Sequence, residues 1–325
     1  MELLDSIRAN MENNFKKARE LYQKGLYPNA LAYYFRALNA AEILEDKASE
    51  AEAKKGIHFC YALEYEYDQV LAYCDDLLTH YQLESEQREF TLAAKATALN
   101  RKGQFRQAEK LLKDLLYSDS PRVRYRAHTD LGLLYYFLHR FSENDSMELA
   151  FENLKAAYEH SLDLGGDPRF RAASNMGLVY LEKGEAELAL RYFEESLQYA
   201  GSDYYKAQTH NELGRVYAIL GDLEKSEEFF EKAAKYALEN SKFLTLTYNI
   251  YYRGLVQITL DKVNNAYNYL HTALYSFLEH KHYPEVVAIY KKLSSLFEDS
   301  HPQRAEHFLN EYHHYLNYID PLGEE

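Results

Sequence analysis

The sequence predicts an all-α protein assembled from repeated helical hairpins, and three observations carry that expectation. Gly and Pro are scarce, 13 and 6 in 325 residues, which leaves too few tight turns for an all-β fold. Strong helix formers (Ala, Leu, Glu, Lys) fill long stretches, together with 32 tyrosines. One pattern of small and aromatic residues also recurs in a fixed frame. In "NELGRVYAILGDLEKSEEFFEKAAKYALENS", Gly214 and Ser226 are small residues twelve apart, and Phe230 and Ala233 follow at +4 and +7.

Taken in chain order, the frame occurs eight times, its copies starting 36 to 45 residues apart. The first copy carries Ala18, Ala30, Tyr34 and Ala37, and the second His58, Val70, Cys74 and Leu77. The third has Ala96, Ala108, Leu112 and Leu115. In the fourth, Gly132 and Ala150 lie eighteen apart, so extra residues fall near Phe141 to Met147; this irregularity reads as a longer turn. The fifth gives Gly177, Ala189, Phe193 and Ser196, and the opening segment is the sixth. The seventh gives Gly254, Ala266, Leu270 and Ala273, and the eighth Leu293, Ala305, Leu309 and Tyr312. Each copy reads as two helices joined by a short turn, with Gly25, Gly103, Gly184 and Gly221 at four of the turns. Small residues are required where two helices cross closely, and the aromatic at +4 fills the space between units. One hairpin cannot bury its apolar face alone, so the units must stack.

Composition narrows the function. A net charge of −14 disfavours nucleic acid, whose phosphates an acidic surface repels. No apolar run approaches the ~18 residues a membrane span needs, and the charged N-terminus lacks a signal-peptide core. Cys60 and Cys74 make neither a disulfide framework nor a zinc pattern, which suits a reducing, cytoplasmic setting.

The apolar-Gly pair followed by Tyr, as in Leu213-Gly214-Tyr217, Met176-Gly177-Tyr180 and Leu131-Gly132-Tyr135, with the later Ala, Phe or Tyr, and Ala, resembles the tetratricopeptide repeat family. Within it, the long, Tyr-rich, acidic units resemble the Rap/NprR/PlcR-type peptide-responsive regulators of Gram-positive bacteria. The resemblance implies a right-handed α-α superhelix of about eight hairpins, one solenoid over 1–325. Repeats are weaker over 11–120, insertion-bearing over 125–163 and best matched over 170–275; a C-terminal repeat covers 285–318 and a short tail 319–325. Repeat-like sequence from about residue 11 leaves no room for a DNA-binding helix-turn-helix. The resemblance also implies a concave groove lined by the first helix of each unit. Its groove positions fall on Arg171, Ser174 and Asn175 in the fifth unit, on Gln208, Asn211 and Arg215 in the sixth, and on Tyr248, Tyr251 and Tyr252 in the seventh. Asn and Gln can hold a peptide backbone, Arg can grip a carboxylate, and Tyr offers an apolar wall with a polar tip. Tyr180 and Tyr217 read as packing residues.

Catalytic and metal motifs are not found. There is no Gly-rich phosphate loop, no GxSxG and no HExxH, and Gly165-Gly166-Asp167-Pro168 reads as a turn between units. His307, Glu311 and His314 share a helix face, but the outer two stand ~10 Å apart along the axis, too far to chelate one ion. Cys74 occupies a packing position, and His58, two residues before Cys60, faces away from it. The expectation is a non-enzymatic protein without cofactor or metal that binds a peptide or partner helix. A structural scaffold and an accessory subunit of a separately encoded enzyme are the alternatives. A scaffold would expose Tyr312, Tyr315 and Tyr318 in the last helix; that end also lacks a polar cap, so pairing of two copies there in a homodimer is a further expectation.

Overall fold

A computed structural model describes residues 2–64, 66–141, 146–240 and 242–319. Among these residues there are sixteen α-helices and no strands. The chain divides between α5 and α6 into two compact units, Met1–Arg101 and Lys102–Glu325, and each is described by itself.

The first unit holds α1 (Glu2–Gln23), α2 (Tyr27–Ile43), α3 (Lys47–Leu63), α4 (Tyr67–His80) and α5 (Ser85–Arg101). Successive helices pack on one another. Ala18 and Ala30 are fully buried where α1 meets α2, in one core cluster with Phe15, Ala37 and, from α3, Ile57. Tyr34, the +4 residue of the first copy, reaches into the next hairpin and lies against Gly56, where a Cβ would collide with its ring. Val70 and Cys74 make the next layer with Ala94 and Ala98 of α5.

The second unit begins with α6 (Phe105–Leu115) and continues with α7 (Pro121–Phe141), α8 (Ser146–Leu164), α9 (Gly166–Glu182) and α10 (Ala186–Tyr199). It is completed by α11 (Asp203–Ile219), α12 (Leu223–Glu239), α13 (Phe243–Thr259), α14 (Val263–Glu279), α15 (Tyr283–Phe297) and α16 (Pro302–Leu316). The sequence frame explains its packing in detail. A Cβ on Gly214 would lie 2.8 Å from the Phe230 ring, and one on Gly177 2.8 Å from Phe193. The crossing of α11 on α12 therefore exists because position 214 has no side chain. Ser226 is equally specific: its Oγ donates to Gly214 O at 2.7 Å, which ties the two small residues together across the crossing. In the fourth copy, Gly132 meets Leu154, four residues after Ala150, so the frame survives the insertion. Of the insertion read at Phe141 to Met147, residues 142–145 lie outside the described residues.

Turns and caps follow local chemistry. Gly221 turns the chain out of α11 with φ +86°, a conformation that costs other L-residues, and Asp222 then caps α12 by accepting from Lys225 N at 3.0 Å. Gly165, with φ +61°, separates α8 from α9 as expected, although Gly166, Asp167 and Pro168 already belong to the first turn of α9. Tyr180 and Tyr217 pack against the core only in part: Tyr180 stacks on Tyr192 and Tyr217 on Phe229, with centroids 5.2 and 5.4 Å apart.

The first helices of neighbouring hairpins also touch, α7 on α9, α9 on α11 and α11 on α13. In addition α7 meets α15, and the buried Ile319 packs against Gly103 at the start of the unit. The last helix differs from the scaffold reading. Tyr312 faces inward and is buried, Tyr315 is half-buried in a ladder with Tyr283 and Tyr290, and only Tyr318 is exposed. Interdigitation with α15 takes the apolar face that a convex patch would need.

Candidate functional site

The nine groove residues named from the sequence separate into three environments. On α9, Arg171 is exposed and donates from Nη2 to Tyr205 Oη at 2.9 Å, with its guanidinium 5.3 Å from that ring centre. Tyr205 is itself stacked on Phe170 and donates to Asp167 Oδ2 at 3.4 Å. Ser174 and Asn175 follow on the same helix, half-buried and without a hydrogen-bond partner among the described residues. Gln208 of α11 is exposed and donates to Tyr204 Oη at 2.9 Å.

Asn211 is different. It is 2% exposed and its amide is spent internally. Its Nδ2 donates to Thr245 O at 3.4 Å and its Oδ1 accepts from Asn249 Nδ2 at 2.7 Å. Asn249 in turn donates to Phe230 O at 2.9 Å and accepts from Arg253 Nε at 3.1 Å. A buried, satisfied amide of this kind fixes the register of α11 on α13 rather than offering itself to a ligand.

Arg215, Tyr248, Tyr251 and Tyr252 belong to a polar network that joins five first helices. Arg215 Nη1 donates to Glu212 Oε2 at 2.8 Å, its Nη2 lies 3.6 Å from Glu182 Oε1 of α9, and its guanidinium sits 4.7 Å from the Tyr252 ring centre. Tyr136 of α7 donates to the same Glu182 oxygen at 3.1 Å. Arg140, one turn further along α7, donates from Nη2 to the buried Tyr251 Oη at 2.6 Å. Tyr248 donates to Glu285 Oε1 of α15 at 2.7 Å. Lys292, on the same helix, is exposed and makes no hydrogen bond or close ion pair among the described residues.

Electrostatics records this crowding. Burial alone would raise the Glu182 carboxyl, but Arg215, Arg140, the Tyr136 hydroxyl and Lys292 outweigh it and hold it below the usual carboxylate range. Lys292 moves the opposite way: desolvation lowers its ammonium, and the facing Arg140 and Arg215 add to this against the pull of Glu182. Sequence reasoning missed Tyr136, Arg140, Glu182, Glu212, Glu285 and Lys292. The signal was partly there, since the groove frame read onto the fourth copy gives Tyr136, four residues after Gly132, and Arg140 one turn beyond.

No group of three His, Cys, Asp or Glu able to hold a metal ion occurs among the described residues. Cys60 and Cys74 are fully buried and unpaired with each other. Burial, reinforced by Glu64, pushes the Cys60 thiol up to about 12, opposite to the direction a nucleophile needs. Native protein at pH 8 is therefore expected to leave both thiols unmodified by an aromatic disulfide reagent, and protein in denaturant to titrate two. Reaction of either thiol within minutes under native conditions would contradict their burial.

Residues 168–239 match the tetratricopeptide repeat family model. No curated protein matches the sequence. Among solved structures, the Rap conjugation gene regulator of the plasmid pLS20 in complex with the Phr* peptide is similar at TM-score 0.68 and 18% identity, over 100% of this chain and 98% of that one. A Rap protein complexed with competence and sporulation factor gives TM-score 0.65 and 14% identity, over 97% and 99%. The apo form of RapI gives TM-score 0.51 and 13% identity, over 95% and 98%. No helix among the described residues is long and apolar enough to cross a membrane. Over residues 168–239 the repeat seen in the sequence is thus the tetratricopeptide repeat, and over its whole length the chain is similar in helical-repeat fold to the Rap structures.

Proposed function

We propose that this protein is a non-enzymatic regulator whose second unit captures an extended peptide or partner helix along the first helices of its hairpins. The observation that carries this reading is the contrast on α9 and α11. Arg171 and Gln208 keep exposed polar tips, and Ser174 and Asn175 keep unspent donors and acceptors, in a structure that satisfies its neighbouring polar groups carefully. A row of such groups on adjacent helices matches the alternating N–H and C=O of an extended backbone. Tyr248 and Tyr252, half-buried, would supply apolar walls. Support also comes from the Rap structures solved with a peptide or a signalling factor, whose fold this chain shares. Two buried thiols suit a reducing compartment, so we place the protein in the cytoplasm.

The test is equilibrium dialysis against a pool of random pentapeptides, with retained species identified by mass spectrometry. An Arg171→Ala/Asn175→Ala variant is expected to retain at least ~10-fold less of the species the native protein keeps, since each lost hydrogen bond to a charged or buried partner weakens binding by about an order of magnitude. Its melting temperature should stay within about 2 °C of native, as surface changes usually do. Asn211→Ala should do the reverse, lowering stability through its buried network. Retention unchanged in the double variant would remove Arg171 and Asn175 from the site.

A further inference from the structure

Outside the network described above, one arginine of the second unit is held firmly in place while its side chain spends no donor. Tyr267 of α14, Phe297 of α15 and Phe308 of α16 meet with ring centres 5.8 to 6.4 Å apart, and Phe297 and Phe308 are buried. The half-buried Arg304 lays its guanidinium over all three rings, 4.1, 4.3 and 5.8 Å from their centres. Arg169, Arg215 and Arg253 also lie over rings, and each reaches a carboxylate, on Glu195, Glu212 and Glu227 respectively. The Arg304 side chain makes no hydrogen bond or ion pair among the described residues. Glu298, Asp299 and Glu306, the carboxylates nearest to it in sequence, are exposed and not paired with it. Stacking fixes the plane of a guanidinium and leaves the donors along its edge to a partner.

The helix beside Arg304 is unusual for so acidic a chain. From Val263 to Leu278, α14 carries no Asp, Glu, Lys or Arg, whereas α12 exposes Glu224, Glu227, Glu228 and Glu231. Asn264, Asn268, Thr272 and Tyr275 are exposed along α14, and Asn264 stands one turn before Tyr267 on the same face. Neutral amides and hydroxyls beside one fixed cation are complementary to a protein segment that carries a single carboxylate among uncharged side chains. We infer that Arg304 and the exposed face of α14 form a docking surface for such a segment, and that Arg304 grips an Asp or Glu side chain of the partner by both oxygens. A phosphoryl group, near −2 at neutral pH, calls for a cluster of cations, and among the described residues no second cation lies over these rings. The surface is built on the second helices of the last two hairpins, so it does not depend on the groove proposed above.

The test is equilibrium dialysis of the full chain against three pools of N-acetylated pentapeptide amides, in which uncharged residues surround a central Glu, Gln or phosphoserine. The Glu pool is expected to be retained at least ~10-fold better than the Gln pool, the weight of a charge-assisted hydrogen-bond pair. Arg304→Met, whose flexible side chain can still pack on the rings, should abolish this preference. Asn264→Glu sets a competing carboxylate on the same face, in the first turn of α14 where the helix dipole favours it. It should lose the preference too, so the outcome stands even if Arg304→Met folds poorly. The groove variant Arg171→Ala/Asn175→Ala should keep the preference in full. Equal retention of the Glu and Gln pools, or a preference undiminished in either Arg304→Met or Asn264→Glu, would overturn the surface. Phosphoserine retained better than Glu overturns the choice of a carboxylate. A preference lost only in the groove variant assigns the carboxylate to the groove, which overturns this site and leaves the groove reading standing.

Discussion

Phe230→Ala is expected to cost ~3–5 kcal/mol of unfolding free energy, the range for removing a buried aromatic ring from a core that cannot collapse around the gap. The ring is 2% exposed and fills the crossing left open by Gly214, where its carbons come within 2.8–2.9 Å of the point a Cβ would occupy. It also packs with Ala218 of α11 and Val256 of α13, and the Arg253 guanidinium lies 5.1 Å from its centre. Three helices therefore lose contacts at once. The backbone of residue 230 accepts the Asn249 amide that anchors Asn211, so a shift of α12 also disturbs that buried network. Denaturant unfolding followed by circular dichroism measures the loss. A cost below about 1 kcal/mol would mean the hairpin repacks freely, contrary to the tight crossing described here.

Arg215→Met should cost ~3 kcal/mol near pH 7, as expected when one member of a buried pair is removed and its partner carboxylate is left behind. The side chains of Arg215 and Glu212 are 11% and 10% exposed, so neither is screened as a surface pair would be. Glu182 adds a pH dependence whose sign follows from its depressed carboxyl. In native protein its contribution is fully present above the ordinary Glu value and is lost as pH falls through the lower folded value. Without Arg215, the burial that otherwise raises this carboxyl is less opposed. The variant then gains relative to native as acid neutralises the stranded Glu182 carboxylate. The difference between the two proteins should shrink between about pH 6 and pH 4, the range around the unperturbed Glu value. His210, whose imidazole burial and the nearby Lys232 and Lys206 lower to about 4, loses stability to acid in both proteins and cancels. A difference that stays constant down to pH 4 would show that Arg215 acts only through its packing on Tyr252.

Much of the fold was legible because its determinants are local and repeat. A glycine that must face an aromatic ring, as Gly214 faces Phe230 and Gly177 faces Phe193, leaves a mark at a fixed distance along the chain. The candidate site was less legible for two separate reasons. Asn211 and Tyr251 do lie on the first helices, but whether such a side chain stays free depends on its neighbour in the next repeat. Asn249 and Arg140 take these two, and that pairing follows no spacing rule. Arg140, Glu182 and Lys292 are a different case. They lie far apart in sequence and share one field only because α7 and α15 meet, a consequence of curvature accumulated over four hairpins. Tyr312 shows the same limit at the chain's last helix, where packing against α15 decided which tyrosine faces solvent.

The meeting of Ile319 with Gly103, together with α7 on α15, bears on how the second unit comes apart. In an open stack a terminal hairpin has one neighbour, so it frays first and the array peels inward. Here the two ends of the unit shelter one another across more than two hundred residues of sequence. Neither end can loosen without exposing the other, which converts a chain of semi-independent modules into one cooperative body. The same closure is slow to find, because its ends must come together after the intervening hairpins have formed. Once made, it gives the two ends of the unit a shared fate.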